Sequence, residues 1–104
     1  MSRDLHPTEG ARLLLDRDRD LGVSGPGASY HAAIYTPTET FSAIAVLGED
    51  GTVELGPTGA PEELHAALEM LARLTARGAA KRREDGLEVW PVRVLRWRGT
   101  GRGL

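Results

Sequence analysis

The sequence contains no cysteine, a single lysine, a single phenylalanine and no long hydrophobic run. Without thiols the chain forms no disulfide, offers no thiolate nucleophile and cannot build a zinc or iron–sulfur site on cysteine. Near its start only three consecutive leucines stand between charged residues, which is too short for a signal peptide or a membrane span. These absences predict a soluble, cytoplasmic protein without thiol chemistry.

What the sequence does contain suits one small folded domain. Of its 104 residues 40% are hydrophobic, and a chain of this length buries roughly 65% of the surface that it exposes when unfolded. We therefore expect a single domain over residues 1–104, with a mobile tail at 99–104. Arginine supplies all but one of the thirteen basic residues, and alanine and glycine are abundant. This bias is typical of GC-rich bacterial genomes.

The net charge of -2 conceals an uneven distribution of charge along the chain. Residues 1–70 hold four basic and twelve acidic side chains, whereas residues 71–104 hold nine basic and three acidic ones. A chain with an acidic part and a basic part is better suited to pairing its own halves, or copies of itself, than to coating a polyanion uniformly.

Hydrophobic periodicity predicts an α+β domain with the element order α-β-β-β-α-β. A possible N-cap at Thr8 and the leucines at 13–15 predict a first helix from about Thr8 to Arg19. The stretches SYHAAIYT, TFSAIAVLG and TVELG then predict three strands of an antiparallel meander, and LEVWPVRVLRWR predicts a last strand that ends at about Arg98. We expect an antiparallel sheet of about four strands, with a long helix packed on one face.

That long helix is the clearest element, and it is predicted over residues 61–78. Glu62 and Glu63 stand at its positive end, and Gly78 provides a stop. Its apolar face is formed by leucines at helical spacing, namely Leu64, Leu68, Leu71 and Leu74.

The middle strand of the meander is apolar on both sides. Phe41 and Leu47 fall on one face of the strand, and Ile44 and Val46 fall on the other. A strand that is exposed on one side would alternate apolar and polar residues. We therefore expect both faces of the sheet to be covered, one by the long helix and the other by the N-terminal helix or by a second copy of the protein.

Three short patterns resemble ligand-binding motifs, and each departs from the motif in question. DRDRDLG resembles the start of a calcium loop, but Leu21 and Gly27 occupy the places that require glycine and a bidentate acid. Glu62 and His65 form one Glu-x-x-His pair, whereas di-iron bundles need two pairs and two further glutamates. GPTGAP precedes a helix, where an anion would bind, but Glu62 and Glu63 would repel a phosphate. We expect neither a metal nor a cofactor.

A catalytic hypothesis depends on His31, Tyr35 and Ser42 in neighbouring strands. A hydroxyl and an imidazole within reach are the minimum for nucleophilic activation. No strained turn surrounds Ser42, and the sequence offers no obvious third acid to orient an imidazole. A small enzyme that uses His31 or His65 is therefore the second alternative, behind two binding hypotheses.

The basic end of the chain supports the first alternative, which is nucleic-acid binding. Arginine and aromatic side chains together bind single strands through charge and stacking. The α-β-β-β-α part of the predicted order matches that of double-stranded-RNA-binding domains, but Glu62 and Glu63 stand where those domains carry a lysine-rich turn, so the chain is not assigned to that family. The residues that would contact nucleic acid are Arg82, Arg83, Arg93, Arg96 and Arg98.

The favoured hypothesis is a small, non-catalytic accessory domain that binds another protein or forms a homodimer. The two-sided apolar strand and the divided charge both point to association. An open strand edge pairs readily with another chain. The expected contact residues are therefore Trp90, Leu95 and Trp97.

Overall fold

The protein is described by a computed structural model over residues 6–18 and 27–99. Within these residues the elements are β1 (Ala11–Arg17), β2 (Gly27–Tyr35), β3 (Thr40–Gly48), β4 (Val53–Leu55), α1 (Glu62–Arg77), α2 (Ala79–Glu84) and β5 (Arg93–Arg98). The strands form one antiparallel sheet in the order β4-β3-β2-β1-β5. The predicted α+β class is confirmed, with an antiparallel sheet and a long helix on one face. The sheet has five strands in the described part instead of about four.

The additional strand is β1, and the helix predicted from Thr8 to Arg19 is wrong. Residues 11–17 pair with β2 on one side and with β5 on the other. Gly10 directly precedes the strand with φ of 74°, a left-handed conformation that a right-handed helix cannot include. The end of the predicted helix, at Arg19, lies outside the described residues.

The core lies between the helices and one face of the sheet. Alternate residues of the central strands point into it, and α1 contributes Leu68, Leu71 and smaller side chains from its inner surface. Leu74 has the right spacing for the predicted apolar face, yet it is 57% exposed because it lies outside the stripe that contacts the sheet. The largest fully buried side chains are Tyr30, Leu15, Ile34, Leu47 and Leu68.

The last strand is shorter than its sequence suggests. β5 begins at Arg93, because Pro91 has no N–H to donate to a ladder, and it ends at Arg98 as predicted. Apart from Gly99, the mobile tail predicted at 99–104 lies outside the described residues. None of the helices in the described ranges is long and apolar enough to cross a membrane.

Candidate interaction surface

The sheet face opposite α1, called here the open face, has no helix packed on it in the described part of the chain. The N-terminal helix that was expected to cover it is instead a strand of the sheet itself. Strand registers arrange the side chains of this face in rows. The rows are Thr40–Tyr35–Arg12–Trp97, then Ser42–Ala33–Leu14–Leu95, then Ile44–His31–Asp16–Arg93.

An apolar strip runs across the open face. Leu14 and Ala33 are 5% and 8% exposed. Around them Ile44, Leu95 and Trp97 remain 40%, 37% and 47% exposed. Both faces of the sheet were expected to be covered. The helix side is covered, whereas the side chain of Ile44 on the other side is partly exposed to solvent.

Of the three predicted contact residues, the structure brings two together. Leu95 and Trp97 lie in adjacent rows of the open face, and the Trp97 indole Nε1 donates a hydrogen bond to the carbonyl of Glu9 at 3.1 Å. Trp90 is only 6% exposed and belongs to the core on the opposite face. The alternation of side chains along LEVWPVRVLRWR already separates Trp90 from Leu95 and Trp97.

Two polar contacts involve the row of the open face that contains His31, Asp16 and Arg93. His31 Nε2 is in close contact with the Asp18 carboxylate, and Arg93 is 3.8 Å from the carboxylate of Asp16. The contact of Asp18 with His31 was not predicted from the sequence, because residues 16–19 were assigned to a helix. In a strand the alternation of residues 16 and 18 would have placed both carboxylates on one face.

Of the residues in the catalytic hypothesis, three lie on the open face and His65 lies on the opposite side of the sheet. His31, Tyr35 and Ser42 occupy three successive rows of the open face, with Ser42 opposite Ala33 and therefore diagonal to His31. His65 lies on α1, on the other side of the sheet, with its Nδ1 3.0 Å from the hydroxyl of Thr58. No group of three or more potential metal ligands is found among the described residues.

Arg82 and Arg83, two of the predicted nucleic-acid contacts, are engaged within the protein. Arg82 donates from Nε to the carbonyl of Val89 at 2.7 Å and from Nη2 to the carbonyl of Thr75 at 2.6 Å. Arg83 donates to both carboxylate oxygens of Glu49, at 2.7 and 3.0 Å. These hydrogen bonds lower the pKa of Glu49 and raise the pKa of Arg83 from their ordinary values. Both arginines therefore tie α2 to its neighbours.

The other three arginines lie in β5, at the edge of the sheet. Arg93 is on the open face, whereas Arg96 and Arg98 alternate to the helix side. The Arg96 guanidinium donates to the carbonyl of Leu95 at 2.9 Å. The five arginines therefore share no single face, but β5 makes its edge basic on both sides.

No family model, no curated protein and no solved structure matches this chain. In the part of the chain that the structure describes, the architecture is that of an α+β protein whose antiparallel sheet carries helices on one face. The two surface features that still need a functional explanation are the open face and the basic edge formed by β5.

Proposed function

We propose that this protein is a small, cytoplasmic, non-catalytic interaction domain that forms a homodimer through the open face of its sheet. The observation that carries the proposal is the exposure of Ile44, Leu95 and Trp97 around buried Leu14, on the face that α1 leaves uncovered. A contiguous apolar patch on a folded domain typically marks a surface that binds another protein.

The dimensions of the open face suit a dissociable dimer. Strands about 4.8 Å apart and about 25 Å long give a five-stranded sheet a face of roughly 20 by 25 Å, and protruding side chains add accessible area. A specific contact buries about 800 Å² on each partner. Serine, threonine and charged residues stand among the apolar ones, as in non-obligate interfaces, where about 57% of the area is apolar.

The charges of the open face favour one orientation of the two copies. Arg12 and Arg93 lie toward the β5 edge, whereas Glu54 lies on β4 at the opposite edge. A two-fold axis parallel to the strands would place β5 of one copy over β4 of the other. Arg93 would then approach Glu54 of the second copy, because the rows that hold these two residues are adjacent, and the symmetry would repeat the contact.

A pair of matched substitutions tests this contact. Ile44→Glu puts a charge within the proposed interface, and Leu74→Glu makes the same change at an exposed leucine on the outer side of α1. Light scattering during gel filtration is expected to give a dimer for the wild type and for L74E, and a monomer for I44E. A dimeric I44E protein with an intact circular dichroism spectrum would exclude the open face as the contact.

Nucleic-acid binding is the alternative function, and the arginines of β5 beside Trp97 support it. The engagement of Arg82 and Arg83 with the protein's own oxygens argues against it. Binding through phosphates weakens steeply as salt rises, because each neutralised phosphate releases counterions. We expect random single-stranded and duplex oligonucleotides to show no salt-sensitive binding by anisotropy at about 50 mM salt. Salt-sensitive binding that is lost on replacing the β5 arginines would support the alternative.

A further inference from the structure

The outer edge of β5 offers backbone hydrogen-bonding groups to another chain. Among the described strands β5 lies at the end of the sheet, and it pairs with β1 on its inner side. The N–H of Arg17 donates to the carbonyl of Val92 at 2.9 Å, so the backbone groups of Val92 point toward β1. Successive residues of a strand direct their backbone groups to alternate sides. The even-numbered residues of β5 therefore direct their backbone groups to β1. The residues that direct theirs outward are Arg93, Leu95 and Trp97.

The side chains of this edge differ between the two faces of the sheet. Arg96 and Arg98 lie on the helix side, and Leu95 and Trp97 lie on the open face. Among the described residues no carboxylate is within ion-pair distance of Arg96 or Arg98. Arg96 instead donates to the outward carbonyl of Leu95. An acid from a partner would draw Arg96 away and leave that carbonyl available to the partner's backbone.

We propose that the β5 edge binds an extended segment of another protein by strand addition, and that this segment alternates acidic and apolar residues. Side chains of an added strand lie on the same faces as the β5 side chains beside them. Residues next to Arg96 and Arg98 would therefore be acidic, because they complete ion pairs. Residues next to Leu95 and Trp97 would be apolar.

The charges of β5 disfavour a second copy of the chain as the occupant of this edge. β5 contains Arg93, Arg96 and Arg98 and no acid. Pairing of two β5 strands would bring six guanidinium groups together, and like charges on neighbouring strands are destabilising. The outward N–H and C=O groups are also spaced for a polypeptide and have no counterpart in a nucleic acid.

The direct test is fluorescence anisotropy with short labelled peptides. The first peptide alternates valine and glutamate over seven residues, the second replaces each glutamate by lysine, and the third has the composition of the first with its glutamates clustered. We expect saturable binding of the first peptide, and binding at least about tenfold weaker for the other two, which corresponds to about 1.4 kcal/mol. Equal binding of the glutamate and lysine peptides would overturn the proposal.

Substitutions separate the backbone contribution from that of the arginines. Leu95→Pro removes an outward N–H without removing a bond to β1, and Leu95→Ala is its control for the lost side chain. We expect the proline variant to bind at least about tenfold more weakly than the alanine variant. The double variant Arg96→Glu, Arg98→Glu is expected to bind the lysine peptide and no longer the glutamate peptide. The control Arg77→Glu on α1 is expected to leave the affinity for both peptides unchanged.

The edge and the open face are tested independently. Ile44→Glu is expected to abolish the dimer and to leave peptide binding unchanged, because Ile44 lies on β3, three strands from the β5 edge. If L95P binds the peptide as well as L95A does, strand addition is wrong even where the dimer is intact. If an oligothymidine binds in place of the peptide, with sensitivity to Arg96 and Arg98 and none to Leu95→Pro, the edge is a nucleic-acid site instead.

Discussion

Tyr30 joins the sheet to the segment that leads into β5. Its side chain is fully buried, and its hydroxyl donates to the carbonyl of Pro91 at 2.7 Å. Burial raises the pKa of Tyr30 to about 12, against the smaller opposing effect of the nearby guanidinium groups of Arg17 and Arg82. The folded protein therefore holds the phenolic proton more tightly than the unfolded chain, in which a tyrosine has a pKa of about 10.

This difference makes stability depend on alkaline pH. The contribution of Tyr30 is complete below pH ~10, the unfolded pKa, and is lost as the pH rises toward the folded value of about 12. Urea unfolding between those pH values is expected to show a falling free energy of unfolding, and the fall should be shallower in Tyr30→Phe. An equally steep fall in Y30F would show that another group is responsible.

Arg82 and Arg83 are neighbours with different structural roles. Arg82→Ala leaves the part-buried carbonyls of Thr75 and Val89 without their donor, so we expect a loss of about 1–3 kcal/mol in the free energy of unfolding. Arg83→Ala breaks an exposed ion pair with Glu49, which contributes little in water, and is the matched control. Urea denaturation that ranks R83A as the less stable variant would contradict this assignment.

At the scale of elements, α1 was predictable from its helical period, and the three strands that precede it were predictable as short β-type runs separated by turn residues. β1 was not, since three consecutive leucines fit a helix and a strand equally well. Residues 11–17 form a strand because they pair with β2 and with β5, and β5 is about eighty residues further along the chain. The residues of a segment do not reveal which distant strand it pairs with. Tertiary pairing therefore determined the structure of residues 11–17, and their local helix propensity did not.

In the candidate site, too, features set within one strand were predictable, whereas features set by pairing between strands were not. Leu95 and Trp97 were identified because alternation within a single strand places both on one face. The contact of Asp18 with His31 was missed because it depends on the register between β1 and β2. The open face itself could not be foreseen, because it results from replacing the expected covering helix by a strand.

The start of β1 gives a test of this architecture at the level of the element. Gly10 and Gly59 both adopt positive φ, at 74° and 79°, so alanine is strained at either position. A β-carbon at Gly10 would also overlap the carbonyl oxygen of Arg98, whereas one at Gly59 would meet no atom within 4 Å. We expect Gly10→Ala to lower the free energy of unfolding by about 1–3 kcal/mol more than Gly59→Ala does. Equal losses by thermal or urea unfolding would argue against the close approach of β1 and β5.

At the scale of the whole molecule, part of the divided charge is neutralised within the chain. Arg83 binds Glu49 and Arg93 lies near Asp16, so the basic part of the sequence contacts the acidic part across the fold. Among the described residues, Arg96 and Arg98 of β5 form no ion pair. This distribution leaves the open face mixed in charge, which suits contact between two copies, and leaves the edge basic, which suits an acidic partner.

The most direct measurement of the central claim is sedimentation velocity of the wild-type protein over about 1 to 100 µM. The account predicts that the sedimentation coefficient rises with concentration, from the value of the 11.2 kDa chain to that of a particle of twice this mass. The same series with Ile44→Glu is expected to stay at the monomer value. A wild-type protein that is still a monomer at tens of micromolar would contradict self-association through the open face.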